Sequence, residues 1–268
     1  MKGSLGKEYF EHKVFGRLTD YADFYKSLSF STMNWISQGT KAIINLDTYV
    51  FSSIQGTLES INEILKNGRI NDSYALLRKY YDSTIINIYS NLYLNENFSL
   101  DNFVVEKIDN WRKGTEKIPG FKHMSEYIIK SPKATNLTKK FYKDGEFKGS
   151  SFEDLRLRCN EHLHYFYYEN ISSNDNEIMN PKRLSLLDGL SKDLTDIFIL
   201  HTAYLFYLND HYMMSSDYVE SLDIGMSPDE GSQYFVAPFI QQMFDKVLKE
   251  ERPDIVDVIK ANTEMNLK

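Results

Sequence analysis

Apolar side chains recur every three or four positions along most of the chain, and nowhere do they alternate with polar ones in the two-residue rhythm of a strand. Ile43, Leu46, Val50, Ile54, Leu58, Ile61 and Leu65 predict one long helix with a single buried stripe, stopped by Lys66-Asn67-Gly68. Asn71 or Asp72 can cap the next helix, in which Tyr74, Leu77, Tyr81, Ile85, Ile88 and Leu92 repeat the spacing to about Asn95. Two long helices on a short turn make an antiparallel hairpin.

Residues 96–150 break this regularity. Gly114, Pro119-Gly120, Ser131-Pro132 and Asp144-Gly145 punctuate short apolar patches, which predicts short helices and loops. A helix is expected over about 152–170, then a polar loop, SSNDNEIMNPKR, and a long helix marked by Leu187, Leu190, Leu194, Ile197, His201, Leu205 and Leu208. MSPDEGSQ reads as a loop, and the remainder as a helical piece broken near Pro253 that packs back on the bundle. The fold class is all-α: an antiparallel bundle with additional N- and C-terminal helices, one domain over 1–268 with its core at about 36–212 and an extension at about 213–268.

With 268 residues the chain can bury a sizeable core unaided. The single Cys159 excludes an intrachain disulfide framework and a multi-cysteine zinc site, in keeping with a reducing cytosol. MKGSLGKEYFEHKVF lacks the apolar centre of a signal peptide, and no apolar run reaches membrane-spanning length, so a cytoplasmic protein that does not enter a membrane is expected.

A net charge of −7 argues against nonspecific coating of nucleic acid, which needs many Lys and Arg on phosphates. The distribution is uneven. Residues 107–148 carry 11 Lys and Arg against 5 acidic residues, whereas 209–257 carry 3 against 11. This is either two solvated faces of opposite sign or a basic segment placed beside an anionic ligand.

The densest chemistry lies in LRLRCNEHLHYFYYEN, residues 155–170. At about 100° per residue, Leu155, Cys159, Leu163 and Phe166 form a core-facing stripe. Arg158, His162 and Tyr165 fall on one flank, and Arg156, Asn160 and His164 on the other. On a helix His162 and His164 point roughly 200° apart and cannot share a metal ion unaided, so neither a metal nor a cofactor is expected. Arg beside His suits metal-free cleavage of an RNA phosphodiester: histidine exchanges protons near neutrality, arginine holds the phosphate as charge builds, and Asn160 can orient either. Spacing alone favours an ordinary surface, with the arginines paired to Glu153, Asp154 or Glu161 and the histidines half-buried. Arg78, among Tyr74, Tyr80, Tyr81 and Asp82, reads as a salt-bridged residue that can face the same cleft, and His201 as a hydrogen-bonded core histidine. His12, His123 and His211 have no evident partners, and no phosphate-binding glycine loop, nucleophile elbow or His-Glu-x-x-His helix is present.

An all-helical bundle with an Arg and a His a few residues apart on a late helix resembles the HEPN superfamily of prokaryotic ribonuclease and nucleotide-binding domains. Arg156 to His162 and Arg158 to His164 both have five intervening residues, and NGRINDSYALLRKYYDS is similar to helices of uncharacterised members. The resemblance implies a metal-independent endoribonuclease, a toxin, phage-defence effector or RNA processor. Two protomers would place Arg156, Arg158, Asn160, His162 and His164 around a shared cleft, with an antitoxin or other regulatory protein as a further partner. Many active members carry a polar residue after the motif arginine, where this chain has Leu157 and Cys159, which leaves open which arginine acts. The alternative is a non-catalytic module of the same type that binds RNA, a nucleotide or a protein. The tyrosines at 165, 167 and 168 are expected at a dimer contact or along the cleft.

Overall fold

The structure, a computed structural model, describes residues 5–178, 180–226, 235–263 and 265–268. The expected loop MSPDEGSQ falls, after Met226, outside the described residues. The described chain is helical throughout, with two isolated bridges and no strand. None of its helices is long and apolar enough to cross a membrane.

Four long helices form the centre: α2 (Lys13–Thr32), α3 (Leu46–Lys66), α4 (Ile70–Asn97) and α10 (Arg183–Leu208), after a short α1 (Gly6–Phe10). α3 starts at Leu46 rather than Ile43, which is left 95% exposed, because the Asn45 side chain caps the helix by accepting from the Asp47 amide. It ends in paired bonds from Gly68 N to Leu65 O and from Arg69 N to Ile64 O. Gly68 has φ 76°, and a Cβ there would lie 2.8 Å from that of Asn176, so only glycine fits. The turn returns the chain antiparallel: Asn87 and Asn91, late in α4, bond to Asp47 at the start of α3.

Residues 96–150 hold the expected short elements, α5 (Glu106–Lys113), α6 (Phe121–Lys130) and α7 (Thr135–Phe141). Then come α8 (Ser151–Leu163), α9 (Tyr168–Ser172) and, past α10, α11 (Ser216–Asp223). α12 (Pro238–Met243) passes through a π turn, Phe244–Leu248, into α13 (Lys249–Glu251). Pro253 then opens α14 (Pro253–Asn262), where a missing amide proton costs nothing. α12 packs on α2 and α14 on α10, so the C-terminal piece does fold back.

One hydrophobic cluster runs from Leu5 to Leu267. Its aromatic centre includes Tyr21 stacked on Phe198 at 4.0 Å between ring centroids. A polar chain threads it. Asn45 donates to the Tyr212 oxygen (2.7 Å), Tyr212 to Asp47 (3.0 Å), and Asn87 to Asp47 (2.7 Å). The Asn87 carbonyl faces His201 Nε2 at 2.9 Å, and His201 Nδ1 faces the Tyr25 hydroxyl at 2.7 Å. This order of donors puts a proton on His201 Nε2, as in the neutral ring that carries its one proton there. Burial, which pushes its pKa down to about 3, favours the same state. His201 is thus the hydrogen-bonded core histidine its place in the apolar stripe predicts.

Candidate functional site

α8 lies across α4 and reaches α10. Ser150 caps it, its Oγ accepting from Glu153 N at 3.2 Å. Phe152, Leu155 and Cys159 form its buried edge. The helix then stops at Leu163, short of the expected 170. Phe166 N bonds to Glu161 O and Tyr165 N to His162 O, the paired bonds of a Schellman end. Tyr165 takes the left-handed position, φ 51°, that glycine commonly occupies. The expected core stripe ends there too: Leu163 and Phe166 are 45% and 61% exposed.

The two flanks of α8 have different fates. On one, Arg158 pairs at two points with Asp193 of α10, Nε to Oδ2 at 3.0 Å and Nη2 to Oδ1 at 2.5 Å. The hydrogen bond to Asp193 holds the guanidinium pKa above its ordinary value. His162 is buried flat against Tyr74, with centroids 4.0 Å apart and planes at 3°, and its Nδ1 lies 2.9 Å from Asn71 Oδ1. Desolvation pushes its pKa down to about 4. Both side chains are bound into the protein.

The other flank borders a groove. Arg156 Nη1 bonds Asp82 Oδ1 at 2.6 Å, and its guanidinium carbon lies 3.2 Å from the Phe121 ring centroid. Arg78 grips the same Asp82 through Nε at 3.1 Å, and its Nη1 donates to Asn160 Oδ1. Burial lowers the Arg156 pKa, with Arg78 adding to the effect and Asp82 opposing it. Two guanidinium groups therefore share one carboxylate, leaving a positive charge unbalanced within the cluster.

Beside it a groove of about 640 Å³ runs between α6, residues 145–148 and α8, edged by Lys122, Lys130, Lys148 and Arg156. A second, of about 510 Å³, opens at the start of α8, with Lys139, Lys140, Lys143, Lys192 and Arg252 on its walls. All but Arg156, Lys192 and Arg252 come from the basic segment 107–148, which thus lies against the face of α8 that carries Arg156.

The sequence-predicted set is divided. Arg156 and Asn160 line the groove, Arg158 is ion-paired to α10 with 41% of its side chain exposed, His162 is buried, and His164 is exposed after the helix end, its ring 5.7 Å from that of Phe166. The arginines' partners are Asp82 and Asp193 on neighbouring helices rather than the adjacent Glu153, Asp154 or Glu161. Asp82 and Phe121 escape sequence reasoning as site residues. The four-residue step from Arg78 to Asp82 signals a salt bridge, but nothing local ties Phe121 to Arg156.

Known proteins offer no further guide: no family model, no curated protein and no solved structure matches the chain.

Proposed function

We propose that the chain is an RNA-binding helical domain of HEPN type that grips phosphates along the two grooves flanking α8. The observation that carries this reading is the sharing of Asp82 by Arg78 and Arg156, of which Arg156 lines the groove between α6 and α8. Together the groove walls hold nine lysines and arginines against five acidic side chains, on a chain of net charge −7. Arginine offers paired donors to a phosphate, and the Asn160 amide beside it adds another polar contact. An RNA is favoured over a lone nucleotide because the two grooves adjoin successive stretches of one helix, Ser151–Phe152 and Glu153–Asn160.

Metal-independent cleavage of that RNA is the second reading, supported by His164. It follows Asn160 by one turn, is exposed, and sits beside exposed Leu163, Tyr165, Phe166, Tyr167, Tyr168 and Ile171. An apolar surface of this kind suits contact with a second copy, whose His164 would then approach the first copy's Arg156. In this reading residues 156–168 lie at a homodimer interface.

Titration of a labelled single-stranded RNA in EDTA separates the two. A binder gives saturable, salt-sensitive anisotropy and returns the RNA intact. An enzyme yields fragments ending in 2′,3′-cyclic phosphate, lost in His164→Ala and kept in His162→Ala. Absence of binding even at about 50 mM salt contradicts both.

A further inference from the structure

At the opposite end of α4 from the turn, the start of α3, the end of α10 and residues 34–38 enclose a chamber of about 830 Å³, within the range of small-molecule sites. Both tryptophans of the chain, Trp35 and Trp111, line it, together with Phe98, His211 and Tyr212. Trp35 meets the His211 ring edge-on at 4.9 Å, and His211 packs on Tyr212 at 4.5 Å. The remaining wall is rich in side-chain amides and contains Ser90, which is 6% exposed and whose Oγ has no hydrogen-bond partner.

Charge decides what this chamber suits. Among the described residues its only charged lining side chains are Asp47 and Asp223, and no lysine or arginine faces it. Asp47 is 6% exposed and takes hydrogen bonds from Asn87, Asn91 and Tyr212. The two amides can only donate to it, while burial raises its pKa above the ordinary carboxylate value, so a cation brought beside it would favour the ionised form. Its partners are neutral, and no salt bridge among the described residues reaches it. A buried carboxylate without a cation is costly, and aromatic faces attract cations. An unused hydroxyl stands beside both.

We infer that this chamber is a binding site for a small organic cation, an ammonium group on an aromatic or apolar body, with Asp47 as counter-charge and Trp35 and Trp111 as walls. An anionic ligand would meet two aspartates. A neutral one would leave the Asp47 charge as it stands. The site shares no lining residue with the grooves at α8, so it stands independently of the RNA reading.

Because both tryptophans line the chamber, intrinsic fluorescence reports any occupant. Three probes of one shape and different charge decide the matter: phenethylamine, N-acetylphenethylamine and phenylacetate. The expected result is saturable change in emission with phenethylamine, at least tenfold weaker response to the other two, and at least tenfold weaker amine binding by Asp47→Asn with unchanged circular dichroism. Equal response to amine and amide, or no saturation by the amine, overturns the proposal on wild-type protein alone, even where Asp47→Asn does not fold.

Discussion

His162 lies flat against Tyr74, ring centroids 4.0 Å apart and planes at 3°, with Nδ1 2.9 Å from Asn71. A ring held in this way serves packing, whatever its sequence context suggests. Burial keeps it neutral to a pH of about 4, whereas in the unfolded chain it protonates near 6.5. Below 6.5 the unfolded chain therefore binds a proton that the native state refuses, and stability falls as pH drops from about 6.5 towards 4. His201, with a pKa near 3, acts in the same sense. His162→Phe, which retains a ring on Tyr74, should lose less melting temperature between pH 7 and pH 4.5 than wild type. An unchanged pH dependence in thermal melts counts against the buried, neutral assignment.

Arg158 and Asp193 form the second packed pair. Asp193 is 1% exposed, so Arg158→Ala strands a buried carboxylate, while the 41% exposure of the Arg158 side chain softens the loss. The expected destabilisation is about 2–3 kcal/mol, below the figure for fully buried pairs. In a chain of this size that lowers the melting temperature by roughly 5–10 °C. Asp193→Asn in the same background should recover part of it, because the stranded charge is gone. Calorimetry of the single and double variants checks both statements.

Asp82 is the converse case, a single carboxylate for which two guanidinium groups already compete. Asp82→Asn should strengthen binding of inorganic phosphate or RNA several-fold by freeing Arg78 and Arg156. Isothermal titration showing weaker binding by the folded variant would mean that Asp82 holds the arginines in place more than it competes with ligand.

Tyr165 carries the strain of the helix end. A non-glycine residue in the left-handed region costs about 1–2 kcal/mol, and this side chain is 48% exposed. Glycine loses more backbone entropy on folding, which offsets part of the relief. Tyr165→Gly should raise stability by roughly 0.5–1 kcal/mol in denaturant unfolding, and a fall would show that the ring contributes packing that outweighs the backbone cost.

The hairpin of α3 and α4, the long α10 and the break at Pro253 were legible because each has a regular apolar step or a punctuating residue: Gly68, the Leu187–Leu208 spacing and Pro253 itself. The end of α8 was not legible. Its left-handed terminal position is filled by tyrosine, and the apolar spacing continues past it through Phe166. The division of the α8 flanks was legible as geometry but not as function. Which flank would be covered depended on Asp193, Tyr74 and Asn71, and no local pattern connects those residues to Arg158 and His162. The chamber at Asp47 was hidden for the same reason, since its walls come from four distant stretches of chain.

In the proposed RNA-binding reading, Arg156 contacts the phosphates and Arg158 does not. The most direct measurement is the salt dependence of RNA affinity for wild type, Arg156→Ala and Arg158→Ala, taken well below their melting temperatures. Arg156→Ala should weaken binding and reduce the slope of log K against log salt by about 0.7, the single-strand value for one lost phosphate contact. Arg158→Ala should leave the slope as in wild type. The reverse pattern, a reduced slope in Arg158→Ala with Arg156→Ala unaffected, contradicts the account.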